Sequence, residues 1–175
     1  MRKDEAAECD STPAPSSVSI KLTDPSLPEC VLLFQHLWEA LGQLYGNTGP
    51  CEFSPADVEG RGTAFVVARL NQQAVGCGAI LPLAPGVAEV KRMFVEPAAR
   101  RQGIARQILR ELEVIACRLG YTVIRLETGN RQPGAIRLYE EAGYRHIERY
   151  GSHVEDELSV CFEKQIGEHA ISITD

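Results

Sequence analysis

The sequence lacks the signatures of several common kinds of site. None of its six cysteines, Cys9, Cys30, Cys51, Cys77, Cys117 and Cys161, stands in a C-x-x-C pair, so neither a zinc ribbon nor a dithiol redox centre is expected. H-E-x-x-H is missing, the histidines His36, His146, His153 and His169 are scattered, and no metal is expected. G-x-G-x-x-G and G-x-x-x-x-G-K-[ST] are absent, which removes the dinucleotide and P-loop fingerprints. No nucleophile elbow marks an activated serine or cysteine, which argues against covalent catalysis. No apolar run approaches the ~20 residues of a membrane span, and Met1–Asp10 is charged, so no membrane association and no signal peptide are expected. The formal net charge of −6 argues against a general nucleic-acid binder, which needs a basic face, while an acidic surface tolerates a cationic small molecule.

What remains is an ordinary globular composition, 44 % hydrophobic and 24 % charged over 175 residues, enough for one domain with a real core. Cysteines set among apolar residues read as reduced thiols of a cytoplasmic protein. Residues 1–17, rich in Ser, Pro, Ala and acids, read as a disordered tail, residues 18–166 as the folded domain, and 167–175 as a C-terminal tail.

Val18, Ile20 and Leu22 alternate as in a strand. Pro28 opens a helix whose stripe is Val31, Phe34, Leu37, Trp38, Leu41 and Tyr45, stopped by Gly46-Asn47. Residues 46–62 read as a loop with a short helix near Pro55–Glu59, placed to line a substrate pocket. Thr63–Leu70 and Ala74–Leu83 form a hairpin about Asn71-Gln72-Gln73. Ala88–Val95 is the next strand. Ile104, Ile108, Leu112, Ile115 and Leu119 share one face of a helix over 103–119. Thr122–Glu127 is a strand, Pro133–Ala142 a helix, and Tyr144–Arg149 and Glu157–Glu163 are two last strands joined by a turn at Gly151-Ser152. Strand–helix–strand order forces a parallel pair in the middle. The ends read as antiparallel hairpins. The predicted fold class is therefore α/β, a mixed antiparallel and parallel sheet of about six or seven strands flanked by helices.

One turn carries chemistry. Arg100-Arg101-Gln102-Gly103-Ile104-Ala105 joins a strand to a helix. A helix start offers unpaired N–H groups and partial positive charge. Gly103 lets backbone approach a phosphate closely, with Ala105 nearly as small, and Arg100, Arg101 and Arg106 add cations.

This turn resembles the [RQ]-x-x-G-x-[GA] signature of the GNAT superfamily of N-acetyltransferases. Ala88-Glu89-Val90-Lys91-Arg92-Met93-Phe94-Val95 resembles the family's central strand, Leu126-Glu127-Thr128-Gly129 its parallel partner, and Ala135 through Tyr144 its later helix and following strand. The likeness covers 63–165 strongly and 18–62 loosely. It implies a GNAT-like fold with acetyl-CoA as co-substrate. The pyrophosphate would lie on backbone N–H groups of Arg100, Arg101, Gln102, Gly103, Ile104, Ala105 and Arg106. The pantetheine arm would pair with Met93, Phe94 and Val95, and the Met93 or Phe94 N–H would hold the acetyl carbonyl as an oxyanion donor. Asn130 matches a position that often contacts the arm, and equally fits a turn-forming asparagine. Tyr139 matches the general acid facing the thioester sulfur, and also fits core packing beside Ile136. Glu89 matches a glutamate that acts as base in some members. Glu127 and His153 stand as rivals for that role, and Met93 lies four strand residues away, roughly 13 Å.

The implied function is direct transfer of the acetyl group to a primary amine of a small molecule or amino acid. Acetylation of a protein lysine or N-terminus, and a coenzyme-A-binding regulatory module, are the alternatives. A homodimer stays open.

Overall fold

The computed structural model of the chain describes residues 17–46 and 51–167. The tail expected over 1–17 therefore falls almost wholly outside the described residues, as do Asn47 of the helix stop, residues 168–175, Cys9 and His169. The elements run β1 Val18–Leu22, α1 Pro28–Tyr45, β2 Ala64–Leu70, β3 Gln73–Ala84, β4 Val87–Val95, α2 Ile104–Arg118, β5 Val123–Gly129, α3 Pro133–Glu141, β6 Arg145–Ile147 and β7 Ser159–Gln165. A short 3-10 turn covers Pro55–Val58, where a short helix was expected.

The seven strands form one sheet in the order β1-β2-β3-β4-β5-β7-β6. β4 and β5 are the parallel pair, and all other neighbours are antiparallel. Asn71 (φ 50°) and Gln72 (φ 70°) close the β2–β3 hairpin as a two-residue loop with both centres left-handed, the twist that suits adjacent strands.

Alternation along the strands feeds two cores. Val66, Ile80, Val90, Leu126 and Phe162 pack against α2 and α3. Phe65, Val67, Cys77, Ala79 and Phe94 meet Cys30, Leu33, Phe34 and Leu37 of α1 on the other face. The α1 seam is thus turned from the expected stripe. Cys30 and Leu33 are buried, while Val31, Trp38, Leu41 and Tyr45 are half-buried. The second half of α1 packs less deeply, with Ala40 and Leu41 only partly buried against the core. Trp38 stands edge-on to Phe53 (5.1 Å between centroids). On α2, Ile104, Ile108, Leu112 and Ile115 are buried as expected, with Leu109 and Ala116 added. Leu119, expected on that face, lies past the last turn and is 44 % exposed. No helix among the described residues is long and apolar enough to cross a membrane.

Candidate active site

β4 and β5 pair only from Val87↔Val123 to Val90↔Leu126. Beyond that point β4 stays with β3, and β5 stays with β7 through Gly129↔Ser159. A bulge drives the separation. One residue of β3, Gly78 between Cys77 and Ala79, faces two of β4, Arg92 and Met93 between Lys91 and Phe94, with Arg92 in the left-handed region at φ 57°. An extra residue bends the strand and sharpens its twist. One edge of Lys91–Val95 is left with no strand beside it among the described residues, and such an edge can pair with an extended ligand. Met93 packs on the α2 side and Phe94 on the α1 side, so their side chains serve the two cores while their backbone borders the opening.

The turn that follows β4 leads into α2. Gly103 caps α2 at φ 75°, and its α-carbon faces open space, with nothing within 4 Å of where a Cβ would stand. The first bond of the helix is Gln107 N–H to the Gly103 carbonyl (3.1 Å), so the N–H groups of Ile104, Ala105 and Arg106 project from the helix end. The three arginines differ in what they do. Arg100 Nε donates to the Val95 carbonyl (2.9 Å) and its guanidinium stands 5.9 Å from the Phe94 ring centre. Arg106 is paired with Glu141. Arg101 and Gln102 are exposed, and Arg101 is the cation most open to an anion.

Glu89 lies on the α1 face just before the strands part, and it is only 6 % exposed. Tyr150 donates its hydroxyl hydrogen bond to Oε1 (2.9 Å), Lys91 Nζ stands 3.3 Å from Oε2, and His153 Nε2 lies 3.9 Å from Oε1. Tyr150 is the functional neighbour that sequence reasoning missed. It is 61 residues from Glu89, and no local pattern announces a pair so remote. Burial first, then the Glu89 charge, pushes the Tyr150 hydroxyl well above the ordinary tyrosine range, which keeps it a donor. Of the rival bases, Glu127 accepts from Ser159 Oγ (2.7 Å) and His153 flanks Glu89. The strand expected to run to Arg149 ends at Ile147, and β7 starts at Ser159. Tyr150 is turned in to Glu89, Gly151–His153 forms a 3-10 turn, and Arg149 Nε donates to the Ser159 carbonyl (3.3 Å) in place of strand pairing.

Tyr139 lies across the sheet on α3, 4 % exposed, edge-on to Tyr144 and tilted against Phe162 at centroid distances of 6.0 and 5.8 Å. Burial, with the Glu127 charge behind it, pushes its hydroxyl well above the tyrosine range. Residues 31–144 match the model of the acetyltransferase (GNAT) family. The chain belongs to that family. It is an acetyl-CoA-dependent acyltransferase. The protein named IAA acetyltransferase from Azospirillum brasilense is 34 % identical over 151 residues, 86 % of this chain and 99 % of that protein. A Klebsiella pneumoniae structure described as an acyl-CoA N-acyltransferase has a TM-score of 0.72 at 30 % identity, covering 86 % of this chain and 98 % of its own. A Salmonella typhimurium acetyltransferase structure holding acetyl-CoA has a TM-score of 0.68 at 20 % identity, covering 87 % and 96 %, and shows the shared GNAT fold.

Around this GNAT opening, Arg92 leaves the bulge toward the loop expected to line a substrate pocket. Its guanidinium stacks 3.7 Å from the Phe53 ring centre and donates to Asp57 Oδ2 (3.2 Å), while Asp57 and Ser54 form a capping box. Asn130, exposed at the end of β5, donates its N–H to the Leu158 carbonyl (2.7 Å). A hollow of about 510 Å³ beside β6 and β7, lined by His146, Ile147, Arg149, Val154, Ser159 and Cys161 among others, includes no β4 residue and so is not the opening between β4 and β5. No group of three metal-ligating side chains occurs among the described residues.

Proposed function

We propose that this GNAT enzyme transfers the acetyl group of acetyl-CoA directly to a primary amine of a small molecule or amino acid. The observation that carries the reading is the buried Glu89 carboxylate beside the point where β4 and β5 part. An amine near pKa ~10.4 is almost wholly protonated at neutral pH and must lose a proton before it attacks. In this reading Glu89 takes that proton. The neutral nitrogen bonds to the thioester carbonyl carbon as the carbonyl electron pair moves to oxygen, held by the Met93 or Phe94 N–H. Collapse breaks the carbon–sulfur bond, and the leaving thiolate takes the Tyr139 proton, which is replaced by the second proton released from nitrogen.

The remaining site assignments follow the same opening. The coenzyme arm would run along Met93, Phe94 and Val95 toward Asn130. Its pyrophosphate would rest on N–H groups from Arg100, Arg101, Gln102, Gly103, Ile104, Ala105 and Arg106. The free thiols of Cys30, Cys51, Cys77, Cys117 and Cys161 support a reducing, cytoplasmic setting, and the domain spans 18–166.

The test is release of free thiol from acetyl-CoA with a panel of small primary amines and amino acids, beside a lysine-containing peptide. Acetylation of at least one small amine, verified by the product's mass, is expected. Acetylation of the peptide alone would overturn the small-molecule reading, and no acetyl-CoA turnover with any amine would overturn the whole proposal.

A further inference from the structure

A carboxylate that takes a proton in a buried place must lose it again before the next turnover. Here that carboxylate is Glu89, in its proposed role as base. Five charged or titratable groups surround the Glu89–Tyr150 pair: Lys91, Arg125, Glu127, Cys161 and His153. Lys91 Nζ is 3.3 Å from Oε2 on the same strand. From β5, the Arg125 guanidinium lies 5.5 Å from the Tyr150 ring centre, and the Glu127 charge bears on Tyr150; the Cys161 thiol of β7 is held protonated by burial. A lysine ammonium and a guanidinium have no acceptor site for a proton. The Tyr150 hydroxyl already donates to Oε1. His153 is different: histidine both accepts and gives up protons near neutral pH.

The placement of His153 suits that task. Its Nε2 is buried without a hydrogen-bond partner among the described residues, an uncommon condition for a polar atom, and it lies 3.9 Å from Glu89 Oε1. That is too far for a resting hydrogen bond and near enough for one small ring movement or one water. The backbone that carries it is fixed, with the His153 N–H on the Tyr150 carbonyl (3.0 Å) and the Asp156 N–H on the His153 carbonyl (3.1 Å). The Asp156 carboxylate, three residues further on, is exposed. The Leu158 N–H and the Ser159 hydroxyl hold it below the usual carboxylate range.

We propose that His153 is the exit for the proton that Glu89 removes from the acceptor amine, with Tyr150 holding the carboxylate in register. The Glu89 O–H bond breaks as an N–H bond forms at His153 Nε2, and the other ring nitrogen of this partly exposed side chain then gives its proton to solvent. Glu89 is the catalytic residue. His153 and Tyr150 act through it.

The experiment compares the full chain with its His153→Gln variant in weak buffer, using the amine that the panel shows to be acetylated fastest. The expected result is a fall in kcat of about tenfold, unchanged affinity for acetyl-CoA, and recovery of turnover as imidazole is added. A structural role would give no recovery. If His153→Gln melts early, His153→Asn takes its place in the same assay. Unchanged kcat in weak buffer, or a loss that imidazole does not restore, overturns the proposal. Glu89→Gln run alongside keeps the two readings apart. Full turnover in Glu89→Gln removes the base itself, whereas loss there with no effect at His153 removes only the exit.

Discussion

The Tyr150 hydroxyl donates a 2.9 Å hydrogen bond to Glu89 Oε1, tying the segment after β6 to the strand at the centre of the sheet. Glu89 is buried, so this donor replaces hydration that the carboxylate gives up on folding. Tyr150→Phe keeps the ring and removes the donor. It should destabilise the fold by about 1–3 kcal/mol, the cost of an unsatisfied buried acceptor. It should also lower kcat with acetyl-CoA affinity unchanged. Thermal melts and calorimetric titration check both, and a variant with parental stability and turnover would show the bond to be incidental.

A second long-range tie should show itself as non-additivity. The Tyr45 hydroxyl occupies the space where a Cβ on residue 129 would stand, and it accepts the Arg131 N–H (3.1 Å). Gly129→Ala should therefore dislodge the Tyr45 ring and cost about 1–3 kcal/mol, as overpacking does. Once Tyr45→Ala has emptied that space, the same change should cost far less. A double-mutant cycle measures the coupling. Two additive losses would mean that Tyr45 does not rest on Gly129 in solution.

These two ties mark the limit of what the sequence makes legible. The strand–turn–helix at Val87–Arg118 could be read because its signals are local: apolar alternation, a glycine at a left-handed cap, and an i, i+4 stripe. The partners Tyr150 with Glu89 and Tyr45 with Gly129 are set by tertiary packing between distant segments. The placement of β7 between β5 and β6 follows from pairing choice rather than from any residue pattern. The bulge at Arg92 was hidden as well, since a strand arginine at φ 57° carries no glycine to announce it. Leu119 fitted the helical period and failed only because the helix stops one residue earlier.

Alkaline pH should unfold the protein early. Tyr139 and Tyr144 are 4 % and 3 % exposed, and burial raises both hydroxyls far above the tyrosine range. A raised folded-state pKa favours the neutral form, so this stability is fully present below about pH 10, where the unfolded tyrosines are also neutral. Above that it is lost as the unfolded state ionises first, by up to about 1.4 kcal/mol per pH unit for each group. Denaturant titrations at rising pH should show the decline starting near pH 10, and a flat profile there would contradict it.

Gly103→Glu separates binding from folding. A side chain at φ 75° costs about 1–2 kcal/mol in backbone strain, and open space receives it, so the fold should survive. The added bulk and negative charge face the helix N–H groups where phosphates would sit, and acetyl-CoA should bind at least about tenfold more weakly. Parental affinity in a folded variant would move the phosphate site elsewhere.

The most direct test of the whole account is a single-turnover measurement on Tyr139→Phe, which removes one proton donor and leaves the packing against Tyr144 and Phe162. With enzyme in excess over acetyl-CoA and a saturating amine, product release cannot mask the chemical step. The account predicts that acetyl transfer slows by about a hundredfold while the acetyl-CoA dissociation constant stays where it was. Transfer at the parental rate in the folded variant would contradict it and leave Tyr139 a core residue alone.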